Sequence, residues 1–259
     1  DVIVRESKAA NAPLLAKLDL VVIEYGLGTA LLSGGDFLPA IKEIKVSGVH
    51  LYLTRKAHHL WNFETGAAAP ADPNQTPPPL NFPLILDQAA VSVVDYHGLG
   101  QTPLKKPFKL DFRQALLKVQ FQPDGRAMVS GQGRLYQSGQ SAPVQVSGRF
   151  HLMRDEFLLK LNLMNTLPIA DLATYLLSES QIQVFQGVAQ GEVTLSSQNK
   201  SKALPVDVAA KFSFEKTQLL LPGMQHALYA MKGEALFETD QLWLKGVTGW
   251  LGNGPLSVG

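Results

Sequence analysis

The chain has 259 residues, enough for one large all-β domain or two ordinary ones, with a sizeable core in either case. Charged residues make up 17%, below the roughly 25% of an ordinary soluble domain, while the apolar fraction of 46% is normal, so an unusual share of the surface is neutral or apolar. A net charge of +1 and a pI near 8.1 leave no long-range field to draw in nucleic acid, and the lack of cysteine excludes disulfides, zinc-thiolate sites and thiol nucleophiles.

The chain opens DVIVRESKAA without an initiator Met, a basic n-region or an apolar h-region, and no run approaches the ~20 apolar residues that span a bilayer. It ends at PLSVG in mid-pattern, so it is expected to be a segment of a longer protein.

A helical turn is expected in DFLPAIKEI. The strand pattern then begins: Ile44 and Val46 share a parity, and Val49, Leu51 and Leu53 take the other. Gly48, where the parity flips, marks a β-bulge that keeps both sets on one face. His58 and His59 then read as a solvated turn, with Trp61 anchoring a returning strand. Residues 66–80, GAAAPADPNQTPPPL, are an extended Ala- and Pro-rich loop that divides N-terminal hairpins with a short helix, 1–65, from a continuous antiparallel run, 81–259.

Within that run, period-two alternation dominates. In PFKLDFR, Phe108, Leu110 and Phe112 oppose Lys109, Asp111 and Arg113; in PVQVSGRFHLM, Val144, Val146, Phe150 and Leu152 oppose Gln145, Ser147, Arg149 and His151. FLLKLNLM places Phe157, Leu159 and Leu161 on one parity, and PVDVAAKFSFE sets Val206, Val208, Ala210, Phe212 and Phe214 against Asp207, Lys211, Ser213 and Glu215. Turns are expected at Pro123-Asp124-Gly125, Gly139, Arg154-Asp155, Pro222-Gly223 and Thr239-Asp240. One segment, TLPIADLATYLL, has helical spacing: Thr166 is the expected N-cap, Pro168 falls in the first turn, and Ile169, Leu172, Ala173 and Leu176 line one face. The class is therefore all-β, mostly antiparallel, with one or two short helices packed on an end or edge of the sheet.

Catalytic signatures are missing. His58 and His59 are adjacent and would point to opposite faces of a strand, and the remaining histidines are isolated, so no metal site is expected. There is no nucleophile elbow, and Gly131-Gln132-Gly133 and Gly252-Asn253-Gly254 lack the setting of a phosphate loop and read as strand glycines and turns. Neither an enzyme nor a cofactor is expected. A long succession of hairpins can curl into an open trough with an apolar concave face, and burying lipid tails there contributes about 0.8 kcal/mol per methylene with no directional partner. The expected lining is Val49, Leu51, Leu53, Phe108, Leu110, Phe112, Val144, Val146, Phe150, Phe157, Leu159, Leu161, Val206, Val208, Phe212 and Phe214. A closed sandwich core is the plainer alternative for the same aromatics.

Four stretches carry a family resemblance: IKEIKVSGVHLYLTRKAHHLWNF, NFPLILDQAAVSVVDYHG, NTLPIADLATYLLSESQIQVFQGVAQGEVTL and LYAMKGEALFETDQLWLKGVTGWLGNGPLSVG, the last with the phrase Leu-Gly-x-Gly-Pro-Leu-x-Val-Gly. Together they resemble the AsmA-like and TamB-like (translocation and assembly module) envelope proteins of diderm bacteria, including the cyanobacterial forms. Lys56-Ala57-His58-His59 stands where that family often has an Asp-Gly turn. The resemblance implies an elongated, taco-shaped half-pipe in the periplasm, belonging to a protein anchored in the inner membrane. The implied role is carriage of phospholipid between inner and outer membranes, or help in assembling outer-membrane proteins beside an assembly-factor barrel.

Overall fold

The computed structural model describes residues 2–5, 14–26, 29, 38–55, 62, 80, 82–97, 103–152, 154–178, 180–197, 207–238 and 241–258. Its strands are β1 (Val2–Arg5), β2 (Leu14–Leu18), β3 (Leu20–Tyr25), β4 (Ile41–Ser47), β5 (His50–Arg55), β6 (Pro83–His97), β7 (Pro103–Phe121), β8 (Arg126–Gln137), β9 (Gln140–His151) and β10 (Arg154–Leu163). They continue with β11 (Leu167–Pro168), β12 (Gln183–Ser196), β13 (Asp207–Leu220), β14 (Leu228–Glu238), β15 (Gln241–Leu251) and β16 (Gly254–Val258), and helix α1 (Ala170–Leu176) lies between β11 and β12. All sixteen strands belong to one open sheet, in the order β1-β2-β5-β6-β7-β8-β9-β10-β12-β13-β14-β15-β16, with β3 and β4 branching beside β6 and β11 beside β12. The sheet does not close into a barrel; the mostly antiparallel all-β class expected from the alternation is what forms, as an open sheet consistent with a half-pipe.

From β6 onward the sheet is an antiparallel meander, each strand pairing with the next except that β10 pairs with β12 across β11 and α1, and the tightest connections carry turn residues. Ser138 and Gly139 both have positive φ, 49° and 79°, in the two-residue β8–β9 connection, and Gly252 has φ 57° in the β15–β16 one. The expected turns at Pro123–Gly125 and Pro222-Gly223 also form; Thr239-Asp240 lies outside the described residues.

The N-terminal strands pair antiparallel among themselves, β1 with β2 and β3 with β4, and depart from the meander where they meet β6. β4 and β5 are two halves of one kinked strand, and both run parallel to β6, with Val46 opposite Leu86 and Leu51 opposite Val91. β2 and β3 form the next kinked strand out, pairing antiparallel with β5 and β4. Beyond β5, Trp61, His58 and His59 lie outside the described residues, and Asn62 returns beside the strand. Its backbone N–H donates to Thr54 O at 2.9 Å, its Nδ2 donates to Tyr52 O at 2.7 Å, and its Oδ1 accepts from Thr54 N at 3.0 Å. In DFLPAIKEI, one 3-10 turn, Leu38–Ala40, precedes β4.

Gly48 has φ 68° and sits where the parity changes, as expected. The change does not stop there: Gln88 in β6 (φ 56°) and Gln114 in β7 (φ 54°) continue it across neighbouring strands, each with a register shift. A second line crosses β12 to β15 at Gly187, Lys216, Ala230 and Gly246, with φ 143°, 53°, 50° and 58°. Bulges bend and twist a strand, and bulges aligned across neighbours bend the sheet as a unit. These two lines therefore curl the sheet without taking the apolar residues off its inner face.

The helix starts later than its sequence predicts. Thr166 does not cap it; Ile169 is the N-cap residue and makes no side-chain capping bond. Leu167 and Pro168 join the sheet instead, opposite Ala189 and Val188, because this pairing buries Leu167 to 2% exposure among Val144, Val146 and Leu163, which outweighs the local capping preference.

Candidate functional site

One row of paired positions crosses the sheet from β3 to β15. It runs Val21, Val46, Leu86, Leu117, Gly131, Val146, Leu161, Val193, Ala210, Phe237 and Leu242, apolar or glycine at every strand. The adjacent row, on the opposite face, runs Val22, Lys45, Ile85, Lys118, Ser130, Ser147, Lys160, Thr194, Ala209, Glu238 and Gln241. Successive strand residues point to opposite faces, so the sheet has one apolar and one largely polar side.

The residues named from sequence fall on the apolar side. Leu51 and Leu53 pair with Val91 and Val93, which pair with Phe112 and Leu110; Phe108 follows on the same parity. Val144 and Val146 oppose Leu163 and Leu161, Leu159 opposes Gly148, and Phe157 opposes Phe150. Val208, Phe212 and Phe214 oppose Leu195, Gly191 and Ala189. Val49 stands at the entry to β5, its carbonyl accepting from Ala90 N–H at 2.7 Å, and Val206 lies outside the described residues.

Curling crowds this face. Glycines 131, 133, 148, 191, 233 and 249 all occupy apolar-side positions, and a Cβ at Gly131, Gly148 or Gly191 would overlap a neighbouring strand's carbonyl oxygen. The close approach produces a dense cluster in the first half, around Val144, Val146, Leu163 and Leu167, and a second around Ala189, Phe214, Leu219 and Met231.

Between α1 and the second half of the sheet lies an apolar cavity with about 770 Å³ of empty space, its open mouth included. Ile169, Leu172, Ala173 and Leu176 form its roof, so the helical face expected from the spacing is the face that lines it. Phe212, Phe214, Ala235, Phe237, Leu242 and Leu244 form the floor. Its one hydroxyl, Thr217 Oγ1, already donates to Glu215 O at 3.2 Å. Nothing in the lining offers an unsatisfied polar group or a general acid or base, so the cavity suits hydrocarbon and not a polar reactant.

The sequence reading missed a polar cluster on the same face. Arg55 Nε donates to Asp95 Oδ1 at 2.8 Å, Arg55 Nη2 donates to His97 O at 3.1 Å, and His97 N–H donates to Asp95 Oδ1 at 2.9 Å. The Tyr175 hydroxyl of α1 donates to Asp95 Oδ2 at 3.0 Å while its ring stacks on Phe108, centroids 4.3 Å apart. Burial, then the charge of Asp95 and the hydrogen bond to it, push the Tyr175 hydroxyl above its ordinary range, against the opposing charge of Arg55. A signal for this cluster was present: Arg55 follows Leu51 and Leu53, and Asp95 follows Val91 and Val93, so opposite charges stand at inward parity on neighbouring strands. Elsewhere, His50 Nε2 lies 2.9 Å from Ser92 Oγ, and burial holds this imidazole below its usual range. Among the described residues no group of three or more His, Cys, Asp or Glu is placed to hold a metal ion.

No family model, curated protein or solved structure matches this chain. The molecule offers a ligand a continuous apolar inner face and a cavity without hydrogen-bonding demand, roofed by α1.

Proposed function

We propose that this chain is a non-enzymatic segment of a hydrophobic conduit for phospholipid. Acyl chains lie along the concave face and headgroups stay at its open side. The observation that carries this reading is the row from Val21 to Leu242, apolar or glycine at every strand it crosses. Each methylene that enters contributes about 0.8 kcal/mol wherever it lies along the row, so chains can slide without breaking specific bonds. The resemblance to AsmA-like and TamB-like envelope proteins supports a periplasmic setting, inner-membrane anchorage and transfer between the two membranes.

Native mass spectrometry of gently purified protein, with photoreactive residues at Leu159 and Phe212, tests the proposal. Co-purified phospholipid that crosslinks at both positions, and is lost in Phe212→Asp, is the expected result. A lipid-free protein with no crosslink from either site overturns it.

A second reading is favoured by one specific feature. All six residues of β3 are exposed, with Leu20 to Ile23 between 41% and 57%, and among the described residues β3 pairs only with β4. Such an edge could take a strand of an unfolded outer-membrane protein by main-chain hydrogen bonding. Under that reading Val22→Pro abolishes activity and Phe212→Asp leaves it intact; under the lipid reading the two substitutions exchange effects.

A further inference from the structure

The strand ends at His97, Pro103, Gln137 and Gln183 fall on the same end of the sheet at staggered heights, and α1 lies over the apolar face on that side, above Phe212, Phe214 and Phe237. Its attachments differ on its two sides. Toward β12 they are main-chain bonds: β11 pairs with β12, and Ile169 N–H donates to Gly187 O at 3.1 Å. Toward β6 to β9 they are side-chain bonds. Tyr175 reaches Asp95, Ser138 Oγ donates to the Asp171 carboxylate, and Gln137, with its amide oxygen facing the helix, accepts from Leu172 N–H at 3.0 Å and donates to Pro168 O at 3.3 Å.

α1 has seven residues, no side-chain N-cap and no buried residue. Helices this short are marginal by themselves, so α1 stays where its attachments hold it. The sheet below is held by long ladders that do not depend on those attachments. Asp95 already accepts from Arg55 and from His97 N–H, both on the sheet, so losing the Tyr175 hydroxyl does not expose the ion pair. That hydroxyl is the link from the buried pair to the helix roofing the apolar cavity.

We propose that α1 is a strap that gates this end of the trough: it swings on β11, is held shut by Tyr175 on Asp95, and when open admits a hydrocarbon chain to the cavity above Phe212, Phe237 and Leu244. The inference rests on the lipid reading above and adds its point of control. Opening costs a few side-chain hydrogen bonds, the stacking of Tyr175 on Phe108 and the apolar contact of the roof, which an entering hydrocarbon chain replaces, but no strand pairing, whereas entry through the sheet would break a ladder.

Three forms of the full chain test the gate: wild type, Tyr175→Phe, and Ser138→Cys with Asp171→Cys, whose two thiols are the only ones in the molecule. Amide exchange is read at Ala173 and Leu177, whose N–H groups donate to Ile169 O and Ala173 O at the two ends of the helix, and uptake of pyrene-labelled phosphatidylcholine from phosphatidylcholine vesicles is followed by stopped flow. Tyr175→Phe keeps the ring on Phe108. It is expected to speed exchange at Ala173 and Leu177 by about tenfold, leave β8 and β9 amides unchanged, and speed uptake several-fold at an unaltered end point. The oxidised double-cysteine form is expected to stop taking up lipid and to recover on reduction.

Lipid uptake at equal rates in all three forms, with helix exchange unchanged, overturns the gate and leaves the lipid reading standing. Faster helix exchange in Tyr175→Phe without labelled lipid in any form overturns both. The Tyr175→Phe comparison decides the matter by itself if the disulfide does not close.

Discussion

Arg55 and Asp95 form an ion pair at 2.8 Å on the apolar face, their side chains 5% and 0% exposed. Arg55 ends β5 and Asp95 stands opposite it on β6, so the pair joins two parallel strands far apart in sequence. Removing one member leaves the other buried without its charge partner: Arg55→Met or Asp95→Leu alone is expected to cost about 3–5 kcal/mol in urea unfolding. The double substitution recovers only part of that loss, because the Tyr175 hydroxyl and the buried His97 N–H both lose Asp95 as acceptor, at about 1–3 kcal/mol each.

Gly131 and Gly133 are two residues apart on β8 and both face inward, yet they differ in what a side chain would meet. A Cβ at Gly133 would sit 2.5 Å from Phe112 Cε2, the far end of a ring that can tilt; at Gly131 it would overlap the Leu116 carbonyl oxygen, which is held in the ladder. Both Gly→Ala variants are expected to lose about 1–3 kcal/mol from overpacking, with Gly131→Ala the more destabilised in thermal unfolding.

Gly246 isolates the backbone contribution to a bulge. Its φ is 58° and a Cβ there would meet nothing within 4 Å, so no clash contributes. Gly246→Val is expected to lose about 1–2 kcal/mol, and Gly246→Asn much less, because Asn tolerates the left-handed region. Equal losses in chemical denaturation would contradict this account of the second bulge line.

Leu236 and Phe237 are neighbours in β14 on opposite faces, 38% and 5% exposed. Phe237→Ala is expected to cost about 3–5 kcal/mol by opening space in the trough, whereas Leu236→Ala, which faces outward opposite Trp243, is expected to stay within about 1 kcal/mol. Comparable losses would mean that the outer face is covered by something that removes Leu236 from water.

Much of the trough was legible because alternation is a local signal. Within PFKLDFR, PVQVSGRF and KFSFE, side-chain direction follows from the two-residue repeat, and pairing brought those runs onto one side. Legibility ended at the bulges. Gln88, Gln114, Lys216 and Ala230 adopt positive φ without glycine's permissiveness, and parity flips behind them, so Thr217, Leu219 and Met231 were not named as inward residues. The helix face was legible from its 3.6-residue spacing; its first residue was not, since Leu167 is claimed by β12.

The class and the run-by-run amphipathicity are local properties, because they depend on residue type and on neighbours one or two positions away. That β4 and β5 run parallel to β6, that the two bulge lines align across strands, and that Arg55, Asp95 and Tyr175 meet at the helix came only with strand pairing. The physical reason is that backbone period acts within a strand, whereas curvature and burial of charge depend on which strands become neighbours, and that is settled only when the whole sheet has paired.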